Sequence, residues 1–166
     1  MKKENQNSEE GNIIYTENVK LTRIIKILVL ITIITGIILI LIFSIINLSI
    51  HFLLVIIFFI IDTSILILYF NYRKLVITIT KYEIKVKFGI LNQKFIPLKL
   101  IQDIEALPPK FLTFGGFGIR LGTDGSWAYL TDFKSALKIE YKNHRTFLFS
   151  TRNPEKIIEI INNLHE

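Results

Sequence analysis

Asp62 is the side chain whose position has the clearest chemical consequence, because it is the one formal charge between residues 27 and 71 of an otherwise apolar stretch. The length of this stretch predicts that it crosses a membrane. Placing an aspartate near the middle of a bilayer costs roughly 2.5 to 3.5 kcal/mol on translocon-type scales, so Asp62 needs a polar partner or has to be protonated. Counting outward from the polar break in this stretch brings Asp62 level with Thr35 and one turn from Thr32. We expect a polar seam in which the Thr35 hydroxyl hydrogen-bonds the carboxyl, with Gly36 allowing close helix packing.

The Asp62 carboxyl has two candidate roles. In the first, it makes a polar contact within a helical hairpin, or between copies of it in a homo-oligomer. In the second, it lines a proton or ion path, and the chain is a small transporter or channel subunit. A relay needs a second ionisable group, and the apolar stretch holds no other formal charge. We therefore favour the structural role.

Enzymatic chemistry is not expected from the remaining polar residues. The segment 116–118 is Gly-Phe-Gly, but Leu121 stands where a dinucleotide fingerprint needs its last glycine. The histidines are dispersed at positions 51, 144 and 165, which gives no metal-ligand spacing. Asp103 and Glu105 are two apart on a predicted strand, which is typical of a solvated face. We predict no catalytic residue, metal, cofactor or small-molecule substrate.

Two surface features are candidates for contact with lipid or a protein partner. The first is the loop that contains Lys110, Phe111, Phe114 and Phe117, whose aromatic rings suit a membrane interface while the lysine meets anionic headgroups. The alternative is that these rings complete the core of a small domain, and we favour it.

The second feature is a row of lysines in which Lys85 and Lys87 share one face of a predicted strand. They could form a cationic patch toward anionic lipid, although ordinary solvation of an outward face is the favoured interpretation. The row comprises Lys81, Lys85, Lys87, Lys94 and Lys99. Nucleic-acid binding calls for more arginine and clustered aromatics, so it is not expected.

The apolar stretch is about twice the roughly 20 residues that one helical crossing needs, so it predicts two spans, at 24–46 and 50–70. Polar residues at positions 47, 49 and 51 indicate the turn between them. Basic residues flank the outer ends of both spans, at Lys20, Arg23, Lys26, Arg73, Lys74 and Lys81. By the positive-inside rule both termini face the cytoplasm. A cleaved signal peptide is the disfavoured alternative, because the apolar core is too long.

The expected organisation is a disordered polar leader over 1–20, a transmembrane hairpin over 21–72 and a self-contained domain over 73–166. Beyond residue 73 the apolar residues alternate, which predicts seven or eight short antiparallel strands. Pro97 indicates an edge or bent strand. Asn153, Pro154 and Glu155 match the start of a helix, whose apolar stripe runs from Ile157 to Leu164. These elements predict a small bent sheet or barrel capped by a C-terminal helix.

This order of elements, with Phe-Gly-Ile-Arg at 117–120, Trp-Ala-Tyr at 127–129 and Asn-Pro-Glu at 153–155, resembles bacterial PH-like domain proteins of the membrane. The resemblance implies a pleckstrin-homology-like fold of two nearly orthogonal sheets. It also implies structural roles for its motif positions, which are Gly118, Arg120, Trp127, Tyr129, Asn153 and Pro154. We expect Arg120 and Trp127 to pair across neighbouring strands, or else to line a recognition groove.

The leading functional hypothesis is an interaction module held at the inner leaflet of a bacterial cell membrane, which binds a partner protein or a lipid headgroup. By resemblance alone, a role in bacteriocin resistance or envelope stress is a secondary expectation. The expected partners are the lipid bilayer and either a protein or a second copy of the chain.

Overall fold

The structure is a computed structural model that describes residues 13–45, 50–143 and 145–165. Two long helices, nine strands, two further helices and a 3-10 turn at Leu98–Leu100 make up this part of the chain. The helices are α1 Arg23–Ile45, α2 Ile50–Tyr72, α3 Phe111–Phe114 and α4 Pro154–His165. The strands are β1 Tyr15–Lys20, β2 Lys74–Ile79, β3 Glu83–Phe88, β4 Asn92–Pro97, β5 Ile101–Leu107, β6 Gly118–Leu121, β7 Trp127–Leu130, β8 Ala136–Tyr141 and β9 Thr146–Ser150.

Helices α1 and α2 are each long and apolar enough to cross a membrane. Their ends lie close to the predicted spans, and α2 continues to Tyr72. Most of their large apolar side chains are exposed, which distinguishes them from the core helices of a water-soluble domain. The predicted turn at 47–49 lies outside the described residues.

Strand β1 corrects the prediction that residues 1–20 form a disordered leader. Residues 15–20 pair along their whole length with β2, from Tyr15↔Ile79 to Lys20↔Lys74. Glu17 and Val19 face the interior, and the intervening residues face outward. Polar residues hide the alternation of inward and outward side chains in this segment, and its partner strand, β2, follows only after the whole apolar hairpin. Residues 1–12 lie outside the described part of the chain.

The chain forms two compact units, of which one is Leu21–Arg73. The other unit joins β1 to everything from Lys74 onward, so the β domain is discontinuous in sequence. The expected self-contained domain over 73–166 is therefore incomplete, because its first strand precedes the hairpin.

The strands of this domain form two sheets. Sheet A has the order β1-β2-β3-β4 and is antiparallel throughout. Its edge strand β4 ends at Pro97, as predicted. Sheet B has the order β5-β8-β9-β7-β6. Here β7 and β9 pair in parallel, which corrects the all-antiparallel prediction. Apolar alternation reports which face of a strand is buried and carries no information about which strand lies beside it.

The main core lies where the inner faces of the two sheets meet. The Phe88 ring of sheet A lies 5.8 Å from the Tyr129 ring of sheet B, and Tyr129 in turn contacts Phe147 with ring centroids 5.0 Å apart. Helix α4 adds Ile157 and Ile161, both buried at the predicted helical spacing. The other face of sheet B carries a smaller apolar cluster of Phe114, Ala128, Leu130, Ala136 and Leu148. The observed layout is therefore two apolar helices, two sheets and a C-terminal helix.

Candidate functional site

The contact between α1 and α2 centres on Gly36 and Asp62. Gly36 is buried and Asp62 is half-buried, so both lie on the facing sides of the two helices. A methyl group built on Gly36 would overlap the Asp62 carboxylate. The two helices therefore lie close together at a position where one of them has no side chain, as the sequence predicts.

The threonine hydroxyls of the predicted polar seam bond within α1 instead of to Asp62. The Thr35 hydroxyl donates to the Ile31 carbonyl at 2.9 Å, and Thr35 lies on the exposed side of α1. Since a hydroxyl has one proton, the expected donation from Thr35 to Asp62 is not made. Thr32 lies one turn before Gly36 on the half-buried side, but its hydroxyl donates to the Leu28 carbonyl at 2.9 Å. Back-bonding to the same helix satisfies both threonines locally.

The loop between β5 and β6 folds into α3 and divides its aromatic residues between two environments. Phe114 is buried, and Phe117 packs its ring 5.0 Å from the Phe133 ring, which matches the core interpretation. Phe111 also contacts Phe133, at 5.4 Å, yet remains 59% exposed, and the neighbouring Leu112 is 92% exposed. Lys110 is exposed as well. The loop therefore both fills the core and presents apolar side chains outward.

A second group of exposed apolar side chains lies at the end of β6 and the start of β7. Leu121 and Trp127 are cross-strand partners, 58% and 53% exposed respectively. The turn that joins these strands lies beside α3, because the Thr123 N–H donates to the Thr113 carbonyl at 3.1 Å. We call the exposed residues Phe111, Leu112, Leu121 and Trp127 the apolar rim.

Arg120 does not pair with Trp127, so that prediction is wrong. Its cross-strand partner is Ala128, and side chains alternate along a strand, which points Arg120 and Trp127 to opposite faces. The Arg120 Nε donates instead to the Phe117 carbonyl at 2.8 Å. Arg120 thus stabilises the loop that precedes β6.

The other motif positions have structural surroundings. Gly118 has φ +97°, a left-handed conformation that favours glycine. Tyr129 is buried between the sheets, and Pro154 begins α4. The Asn153 carbonyl accepts the first helical bond, from the Ile157 N–H at 3.2 Å.

The β6–β7 turn is held by a carboxylate. Asp124 accepts from the Ser126 hydroxyl at 2.5 Å and from the Ser126 N–H at 3.0 Å. These bonds hold the pKa of the Asp124 carboxyl below its usual value. Gly125, at φ +80°, supplies the turn conformation that the Asp-Gly pair predicts.

Lys85 and Lys87 lie on the outward face of β3, as predicted. The Lys85 Nζ lies 5.0 Å from the centroid of the Phe95 ring, its cross-strand neighbour, and Lys85 is half-buried. Lys87 is exposed. Of these two lysines, Lys87 is the more exposed.

The carboxylate of Glu17, which is 7% exposed, is a buried polar group that the sequence did not predict. It accepts from the Thr151 hydroxyl at 2.6 Å, from the Arg152 N–H at 2.8 Å and from the Tyr15 hydroxyl at 3.0 Å. This cluster ties β1 to the segment that leads into α4. The alternation of Tyr15, Glu17 and Val19 was the available signal, although polar residues interrupt its apolar pattern.

The Tyr15 hydroxyl extends the cluster to the start of α4. Its oxygen accepts from the Asn153 side-chain amide at 3.3 Å. Burial raises the pKa of the Tyr15 hydroxyl; the Glu17 carboxylate acts in the same direction and the Asn153 bond opposes it.

Among residues 13–45, 50–143 and 145–165, no group of three or more His, Asp or Glu side chains lies close enough to hold a metal ion. Asp103 and Glu105 lie on β5, and Glu105 pairs with Lys138 across the strands at 3.7 Å. No family model, no curated protein and no solved structure matches this chain.

Proposed function

We propose that α1 and α2 cross a bacterial cell membrane as a hairpin and hold the β domain on its cytoplasmic side. Basic residues stand at both outer ends of the hairpin, which supports this orientation by the positive-inside rule. The exposed apolar surface of both helices suits contact with lipid.

The β domain in this proposal is a PH-like interaction module. Its two sheets followed by a helix that buries Ile157 and Ile161 support the assignment to this fold. Such a fold carries no fixed ligand, so the function has to come from a surface.

The apolar rim is the surface that supports this function best. It adjoins β6, an edge strand of sheet B, and an edge strand can add an extended segment of a partner through its main chain. Leu121 ends that edge strand and Trp127 lies beside it on β7, both on the face of sheet B that carries Tyr129, so they would contact the side chains that an added segment presents to that face. The proposed activity is therefore capture of an extended segment of a protein partner at the membrane surface.

Site-specific photocrosslinking in native membranes tests this proposal. A photoreactive side chain at Leu121 should yield one discrete protein adduct. The same group at Asn18, an outward position on β1, is the matched control. Ile119→Pro, which removes a main-chain N–H that the alternation of the β6–β7 ladder points to the open edge of β6, should abolish the adduct. Adducts with lipid alone, or equal adducts at both positions, would contradict protein capture.

Transport is the second candidate function, favoured by the half-buried Asp62 carboxylate between the two helices. Proton and cation flux through vesicles that contain the full chain tests it. Flux that disappears in Asp62→Asn would establish the transport class. If Asp62 only packs against Gly36, the native chain and the variant will show the same background leak.

A further inference from the structure

The β3–β4 turn presents two large aliphatic side chains to its surroundings. Ile90 is 76% exposed and Leu91 is 83% exposed, directly after Gly89. Turns of this kind usually carry glycine, asparagine, aspartate or serine, whose backbone and hydrogen-bonding properties suit water. An aliphatic pair at such a tip gives up hydrophobic burial that the fold itself does not recover.

Strand register places this tip at one particular end of sheet A. Phe88, the last residue of β3, pairs with Leu75 near the start of β2. At the same end, Lys20 closes β1 and pairs with Lys74. The chain leaves the sheet for α1 just after Lys20 and returns from α2 just before Lys74. The aliphatic tip and both chain connections to the apolar hairpin therefore share one end of the sheet.

The end of sheet A that bears the tip is basic. Lys20, Lys74 and Lys87 are exposed near it. At the other end the exposed Lys81 lies close to Glu83, which is the one acidic residue between positions 71 and 102 of the sequence and pairs with Pro97. Lysines beside exposed aliphatic residues are the composition of a surface that meets anionic headgroups.

We propose that Ile90 and Leu91 insert into the interfacial layer of the membrane, with the surrounding lysines among anionic lipid headgroups. The inference rests on the proposed transmembrane hairpin and adds a third point of membrane contact. This contact would limit rotation of the β domain about its two chain connections, so that the apolar rim keeps one orientation toward partners.

Tyr82 provides a matched control, because it lies in the β2–β3 turn at the opposite end of sheet A and is 75% exposed. The chain has no cysteine, so a single introduced thiol can be labelled cleanly. Leu91→Cys, Tyr82→Cys and Ile38→Cys, the last on the exposed side of α1, would each carry a polarity-sensitive fluorophore. The full chain would be reconstituted in vesicles of phosphatidylethanolamine and phosphatidylglycerol.

We expect a blue-shifted label at Leu91, quenched several-fold more by lipid-attached spin labels than the label at Tyr82. The Ile38 label reports separately on the hairpin. Lipid quenching at Ile38 with a water-like signal at Leu91 would overturn the tip insertion and leave the hairpin proposal intact. Water-like signals at both Leu91 and Ile38 would overturn the tip insertion and the hairpin proposal together. A Leu91 label shielded from water but not reached by the lipid quencher indicates a protein contact and also overturns the insertion.

Discussion

At the residue scale, Glu17 is the most consequential side chain of the β domain. A buried carboxylate is expensive unless donors surround it, and here a hydroxyl and a main-chain N–H approach its two oxygens from across the fold. Glu17 thus connects the strand before the hairpin to the segment before α4 through hydrogen bonds.

Glu17→Gln should lower the free energy of unfolding by about 1.5 to 3 kcal/mol, the range for hydrogen bonds to charged groups. The amide keeps the shape but turns one acceptor into a donor that faces another donor. Denaturant unfolding of the full chain in detergent micelles, followed by circular dichroism of the β domain, would measure the loss. Asn18→Gln on the outward face is the control. Equal stability of the two variants would refute a stabilising role for the Glu17 hydrogen bonds.

Tyr141 supplies a pH prediction. Among the described residues its hydroxyl is one of two buried polar atoms with no hydrogen-bond partner, the other being on Thr131. Burial raises the pKa of Tyr141 from its ordinary value of 10.0 to about 12. When the pH is below the lower of these two pKa values, the Tyr141 hydroxyl is protonated in both the folded and the unfolded state. As the pH rises between these values the unfolded chain ionises first, so the folded state loses stability.

Tyr141→Phe should therefore weaken the alkaline loss of stability, and near neutral pH it should leave stability unchanged or raise it by about 1 kcal/mol. The measurement is the denaturation midpoint as a function of pH. Tyr82→Phe, at an exposed position, is the control for general tyrosine ionisation. Identical pH profiles for the two variants would count against a buried, unpaired hydroxyl at Tyr141.

At the element scale, the contact between α1 and α2 depends on one residue that lacks a side chain. Leucine and isoleucine elsewhere on these helices are interchangeable in lipid, because lipid tails are as apolar as they are. Gly36 is different, since the Asp62 carboxylate occupies the space that a Cβ would take.

Gly36→Ala should destabilise the hairpin, and Asp62→Ala in the same chain should restore it. We expect a coupling of about 0.5 to 2 kcal/mol between the two positions, typical of side chains in direct contact. A double-mutant cycle of unfolding in mixed micelles gives this value. Ile37→Ala, on the exposed side of α1, replaces Gly36→Ala in the control cycle. Zero coupling in the first cycle would mean that Gly36 and Asp62 do not touch.

At the scale of the whole molecule, the hairpin is an insertion between two paired strands. The Leu21 N–H donates to the Arg73 carbonyl at 3.0 Å, which continues the β1–β2 ladder to the point where the helices begin. Removal of the hairpin should therefore leave a domain that can close on itself, provided that β1 is kept.

We predict that replacing residues 22–72 with Asn-Gly gives a soluble, folded domain, because this pair favours the two-residue turn that joins antiparallel strands. A fragment that begins at Lys74 should be less stable and prone to aggregation, since it exposes the edge of β2 and lacks Glu17. NMR spectra of the backbone amides and size-exclusion profiles would distinguish the linked domain from the fragment. Equal stability of both proteins would show that β1 is dispensable.

Much of the architecture follows from the sequence because it depends on local periodicity. Continuous apolarity over more than 40 residues predicts the paired helices. Alternation predicts a run of seven or eight short strands beyond residue 73, and the Asn-Pro-Glu segment predicts the start of α4. Counting from the polar break predicts Asp62 level with Thr35, one residue away from Gly36, which is the residue that the carboxylate contacts.

Tertiary structure alone decided the features that join residues far apart in the chain. Strand β1 belongs to a sheet whose next strand comes after the hairpin, so its polar composition by itself predicts a leader. The parallel pairing of β7 with β9 and the burial of Glu17 against Thr151 and Arg152 have the same origin. Residue type and spacing determine which face of an element is apolar, whereas the partner of that face depends on long-range packing, which local periodicity does not encode.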